Sequence, residues 1–127
     1  MDISRLVEEA FFAKKAAYAP YSGFKVGAAL LAASGRVFHG CNVENASYGL
    51  SVCAERVAVF NAVSAGERCF KAIAVVSDSE EYCRPCGACR QVISEFGSDI
   101  LIVMADNKGN FEVKKISELL PYSFTLA

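Results

Sequence analysis

The sequence predicts one α/β domain, a three-layer α/β/α arrangement in which helices cover both faces of a mixed five-stranded sheet, and 127 residues suffice for one such core. Three observations lead there. The N-terminal run is apolar at helical spacing, a Ser34-Gly35 turn joins two short strand patterns, and the rest of the chain alternates helical patterns with short apolar runs.

The first helix carries Ile3, Leu6, Val7, Ala10, Phe11, the aliphatic stem of Lys14, and Ala17 on one face. Asp2 or Ser4 is its expected cap, and Ala19-Pro20 breaks it. K-V-G-A-A-L-L-A-A and R-V-F-H-G-C-N-V then form an antiparallel hairpin, and E-N-A-S-Y-G-L-S-V, which has no period, is expected to be loop. A second helix is expected from Cys53 to Ala65, packing Val57, Ala58, Phe60, Ala62 and Val63 on the sheet and closing at Gly66. F-K-A-I-A-V-V-S is nearly continuous in apolar character, as a strand covered on both faces must be. Pro85 precedes a third helix that begins near Cys86, buries Val92, Ile93 and Phe96, and stops at Gly97. I-L-I-V-M-A is another central strand, F-E-V-K-K-I alternates like an edge strand, and S-E-L-L begins a short last helix with Ser117 as its expected cap. Both crossovers are expected to be right-handed.

The formal net charge is -1, with acids and bases interspersed. A nucleic-acid partner would want a basic stripe, and none is present. No apolar run is long enough to cross a bilayer and no leader pattern precedes the first helix, so a soluble cytoplasmic protein is expected, with no membrane partner. In a reducing compartment the six cysteines point to thiolate or metal chemistry rather than to disulfides.

Cys86 and Cys89 lie three apart at one helix start, and Cys53 occupies the same place on another. Two crossover helices on one sheet face can bring those starts together. A redox pair would want a thioredoxin-like strand order, which is absent, and a structural zinc site would want four protein ligands. Three cysteines leave one tetrahedral position open, the arrangement of a catalytic zinc. Helix N-termini favour thiolates, and Arg56 and Arg90 are expected to add positive charge that offsets three of them. Glu55 follows Cys53 by two residues, too near to ligate comfortably but able to reach over the open position and move protons. Of the remaining cysteines, Cys41 and Cys69 are expected to be small buried residues, and His39 a strand residue exposed to solvent rather than a ligand.

These residues resemble the cytidine deaminases of the small, three-cysteine type. The zinc-deaminase signature, a ligand-x-Glu followed by Pro-Cys-x-x-Cys, reads here Cys53-Ala54-Glu55 and Pro85-Cys86-Gly87-Ala88-Cys89. The likeness runs from Tyr18-Ala-Pro-Tyr-Ser22 through Gly40-Cys-Asn-Val-Glu-Asn-Ala46 to Leu119-Leu120-Pro121, nearly the whole chain. It implies a single deaminase domain over 1–127 and one Zn2+ per subunit held by Cys53, Cys86 and Cys89, with Glu55 as proton shuttle and Arg56 behind the ligands. It also implies that Phe24 packs on the pyrimidine, that Asn42 and Glu44 bind the ribose, and that Ala54 contacts the substrate. Ala46, Tyr48 and Phe124 would help to form a neighbouring subunit's site in a homotetramer. The family pattern has no cysteine at Cys83. The implied reaction is hydrolytic deamination of cytidine and 2'-deoxycytidine, with ammonia released, in pyrimidine salvage. A deaminase of another amino-pyrimidine nucleoside and a non-catalytic zinc-stapled interaction module are the alternatives.

Overall fold

The computed structural model describes residues 1–126. Within them the elements run α1 (Ile3–Lys14), β1 (Val26–Ala32), β2 (Val37–Cys41), α2 (Ala54–Ser64), β3 (Phe70–Ser77), α3 (Gly87–Ser94), β4 (Leu101–Ala105), β5 (Phe111–Lys115) and α4 (Ile116–Leu119). The strands form one mixed sheet in the order β2-β1-β3-β4-β5, in which only β3 and β4 pair in parallel.

Alternation along the central strands separates two cores. Leu6, Val7 and Ala10 of α1 pack on Ala29, Ala74, Val76 and Val103, while Ala58, Val59 and Ile93 of α2 and α3 meet Ala28, Leu30, Ile73, Val75 and Ile102 on the opposite face. Each fully buried Leu, Ile or Val contributes about 1.5–3 kcal/mol of transfer free energy, so the two faces together outweigh any surface ion pair. The expected three layers are therefore present.

Two glycines set how closely the helices approach. A Cβ on Gly27 would lie 2.2 Å from the Ala10 carbonyl oxygen, and one on Gly40 would lie 2.3 Å from that of Ala54. The start of α2 thus rests directly on β2. Because β2 and β3 both run antiparallel to β1, their C-terminal ends share one edge of the sheet, and α2 and α3 both begin there. Open α/β sheets bind ligands at such an edge.

One local expectation is decided between its two candidates and several others are corrected. Asp2 is the cap of α1, its carboxylate accepting the Arg5 N–H at 2.8 Å. The cap of α4 is Lys115 rather than Ser117, because the Glu118 carboxylate reaches back to accept the Lys115 N–H at 2.9 Å. Phe60 is half exposed, since α2 turns the smaller Ala58, Val59 and Ala62 inward. Val57, Val92 and Phe96 are only partly covered. Cys69 is exposed in the turn before β3 and Cys41 is intermediate. The loop from Glu44 to Val52 contains a 3-10 turn at Tyr48–Leu50, and its ends are pinned by a bridge between Val43 and Val52.

Candidate active site

Cys53 and Cys86 are the N-cap residues of α2 and α3, both extended in backbone, and neither side chain caps its own helix. The sulfurs turn toward each other instead. Cys53 Sγ lies 3.8 Å from Cys86 Sγ, which lies 3.5 Å from Cys89 Sγ, and all three fall within 4.8 Å of one another. Zinc–sulfur bonds of about 2.3 Å at a tetrahedral centre separate their sulfurs by about 3.8 Å, so the three thiols already have the spacing of one face of a zinc site. The donor set fits zinc.

Without metal, the thiols share protons. Cys53 is pulled well below its ordinary range by the hydrogen bond from Cys89 and, against the opposing effect of burial, by Arg56, whose Nη2 lies 3.5 Å from Cys53 Sγ. Cys89 is pushed up by the same bond and by burial. Metal binding would release that proton.

Glu55, in the first turn of α2, is 4% exposed, a rare position for a carboxylate. Burial chiefly, with the neighbouring charge of Cys53, pushes its pKa from 4.5 up to about 7. A group so poised both accepts and returns a proton near neutrality.

Cys53, Cys86 and Glu55 border a cavity of about 310 Å3 whose walls include Phe24, Val26, Asn42, Glu44, Val52 and Ala54. Asn42 is committed at both ends of its amide: Oδ1 accepts the Val26 N–H and Nδ2 donates to the Phe24 carbonyl, each at 2.9 Å. Glu44 accepts the N–H groups of Tyr21 (3.0 Å) and Ser22 (3.1 Å) together with the Ser22 hydroxyl. The hydroxyl bond chiefly holds the Glu44 carboxyl below its usual range. The two residues thereby tie the 21–26 segment over the cavity.

The chain matches the family model described as "Cytidine and deoxycytidylate deaminase zinc-binding region" over residues 1–105. The chain belongs to the cytidine and deoxycytidylate deaminase family. Among its relatives, "Cytidine deaminase" of Sporosarcina psychrophila is 52% identical over 126 residues, which cover 98% of this chain and 93% of that one. "Cytidine deaminase" of Halalkalibacterium halodurans is 50% identical, covering 98% of this chain and 96% of its own. The crystal structure of cytidine deaminase from Burkholderia pseudomallei superposes with a TM-score of 0.95 at 52% identity, covering 98% of this chain and all of that one.

Of the residues anticipated for a deaminase site, Cys53, Cys86, Glu55, Ala54, Phe24, Asn42 and Glu44 line this one cavity, and the buried Cys89 joins Cys53 and Cys86 in the three-sulfur cluster. Ala46, Tyr48 and Phe124 do not line it, and all three are exposed, Tyr48 at 78% and Phe124 at 69%. Arg90 was expected beside the metal. Its Nε donates instead to the Pro85 carbonyl at 2.8 Å and its Nη1 to the Leu119 carbonyl at 2.9 Å. His39 is half-buried rather than exposed, with Nε2 at 3.1 Å from Glu9 Oε1, and it is no ligand. Among the residues that went unanticipated are Cys83 in the wall and Ser22 beside it. Cys83 lines the cavity as a neutral thiol, pushed up to about 12 by burial and then by the charge of Glu55, and it stands outside the three-sulfur cluster. Ser22 orients Glu44. The proximity of Cys83 to Pro85 could have flagged the first, but no sequence signal marks the second.

Proposed function

We propose that this chain catalyses the zinc-dependent hydrolytic deamination of cytidine and 2'-deoxycytidine to uridine and 2'-deoxyuridine with release of ammonia. The observation that carries this reading is Glu55, buried at a cavity wall beside three sulfurs at zinc spacing. Zinc held by Cys53, Cys86 and Cys89, one ion per subunit, would acidify a water from about 15.7 toward 7. Glu55 takes a proton from that water and passes it to ring N3 as the water oxygen bonds to C4. It then carries the remaining proton of the new C4 hydroxyl to the amino group, whose C4–N bond breaks to release ammonia. Phe24 packs against the base, and Ala54 offers a backbone N–H from the first turn of α2 that has no intrahelical acceptor. Asn42 and Glu44 face the ribose. Arg56 offsets thiolate charge at Cys53, which keeps the metal electrophilic.

Ala46, Tyr48 and Phe124 complete a neighbour's pocket in a homotetramer with composite sites. Their exposure outside their own chain's cavity supports this, as does the exposure of Phe12 and Phe60. Six free thiols among the described residues suit a reducing cytoplasm, and the reaction suits pyrimidine salvage.

Purified protein is incubated with cytidine, deoxycytidine, cytidine monophosphate and adenosine while ammonia is followed, and zinc is measured in parallel. Turnover of the first two with about one zinc per chain is expected. Stoichiometric zinc with no turnover of any pyrimidine nucleoside would favour the zinc-stapled module, and turnover restricted to a modified amino-pyrimidine would favour the other alternative. A fully active monomer in sedimentation at assay concentration would refute the composite site.

A further inference from the structure

Arg90 follows Cys89 directly and sits one turn after Cys86, yet its guanidinium runs backward to two backbone carbonyls instead of joining the sulfurs. Its backbone N–H closes the first turn of α3 onto the Cys86 carbonyl at 3.0 Å. Its Nε takes the carbonyl of Pro85, a fully buried residue, at 2.8 Å, so one residue grips the two peptide groups that flank the start of the ligand loop. The other arm of the guanidinium holds the Leu119 carbonyl at 2.9 Å. Leu119 ends α4, which is itself docked by the Ile116 N–H on the Ile100 carbonyl at 2.8 Å, beside β4.

We infer that Arg90 is a positioning residue for the metal site: it braces the Pro85–Cys86 peptide against α4, so that retention of zinc depends on the C-terminal helix as well as on α2. The inference rests on the zinc reading given above. The orientation of the Pro85–Cys86 peptide sets where the Cys86 side chain leaves the backbone, and Cys86 Sγ has to stay 3.8 Å from Cys53 Sγ on a different helix. Proline fixes only one of the two dihedrals of residue 85, so the remaining freedom of that peptide is what the guanidinium removes. A planar fork can hold two separate carbonyls through two nitrogens, whereas one ammonium nitrogen serves both only by compromise. A carbonyl buried beside Pro85 and stripped of its donor would turn to find another, and would carry Cys86 with it.

The test compares wild type, Arg90→Gln and Arg90→Lys, each zinc-loaded and metal-free. Two quantities are read: the rate of zinc transfer to a chromophoric chelator, and the rise in melting temperature that zinc produces. Arg90→Gln should hand over zinc about tenfold faster or more and show a smaller zinc-dependent rise, with Arg90→Lys between it and wild type. Transfer at the wild-type rate would overturn the inference. So would equal losses of melting temperature in the loaded and metal-free forms, because a brace of the fold in general leaves the zinc-dependent rise unchanged. If Arg90→Gln does not fold, the same two readings on Arg90→Lys decide the matter. A wild type that takes up no zinc would refute the zinc reading itself, a result distinct from a zinc-loaded wild type matched by its variants.

Discussion

Replacing Gly40 by alanine adds one methyl group where β2 and α2 touch. That methyl would lie 2.3 Å from the Ala54 carbonyl oxygen, 2.4 Å from the Ala58 nitrogen and 2.9 Å from the Ala58 Cβ. Ordinary contact begins at about 3.5 Å, so α2 has to withdraw by about 1 Å, and no rotamer can relieve the overlap because two of the three obstacles are backbone. Overpacking of this kind costs about 1–3 kcal/mol, or about 4–12 °C in melting temperature for a domain of this size. The withdrawal also carries Cys53 and Glu55, which flank Ala54, away from Cys86 and Cys89. Displacement of reacting groups by about 1 Å can lower turnover about 100-fold. Gly27→Ala provides the comparison, since its methyl would meet α1 on the other face, 2.2 Å from the Ala10 carbonyl oxygen. Both variants should melt early, but only Gly40→Ala should lose zinc and most of kcat/KM on cytidine. Equal losses of activity in two equally destabilised variants, or wild-type zinc content in Gly40→Ala, would refute the claim that this contact sets the metal geometry.

Cys53→Ala, Cys86→Ala and Cys89→Ala should each lose zinc and turnover, while Cys83→Ser keeps both, as metal analysis of the purified variants will show. Glu55→Gln should retain zinc and lose most turnover, because an amide cannot carry protons. In the metal-free protein Glu55 also makes stability depend on pH: its pKa is 4.5 when unfolded and about 7 when folded, so the folded state holds the extra proton between those values. Its contribution is therefore present below about pH 4.5 and falls by about 3 kcal/mol as pH rises through 7, and subtracting the denaturation profile of Glu55→Gln should reveal that slope. Cytidine monophosphate should be turned over with kcat/KM about an order of magnitude below cytidine, because Glu44 remains ionised at the mouth of the cavity and repels a phosphate. Comparable values would mean that Glu44 does not face the ribose.

Local sequence determined which elements form and most of their ends, because caps, breakers and apolar period act within a few residues of themselves, although the cap of the short α4 falls at Lys115 rather than at Ser117. The same locality marked Cys86, Cys89 and Glu55 as candidates: each stands at a helix start marked by Pro85 or by Cys53, and their spacing suggests metal and proton chemistry. Three-dimensional packing decided the rest. Cys53 reaches Cys86 only because antiparallel pairing with β1 brings the ends of β2 and β3 to one edge of the sheet. Glu55 acquires its raised pKa from the burial that this edge imposes, and a carboxylate in the first turn of a helix is otherwise an ordinary surface residue. Long side chains were the least legible. Nothing within reach of Arg90 along the chain distinguishes a sulfur in front of it from the Leu119 carbonyl behind it, and the choice depends on where α4 docks. Phe60 stays half exposed for a related reason, since periodicity tells which residues share a face of α2 but not how much of that face the sheet covers.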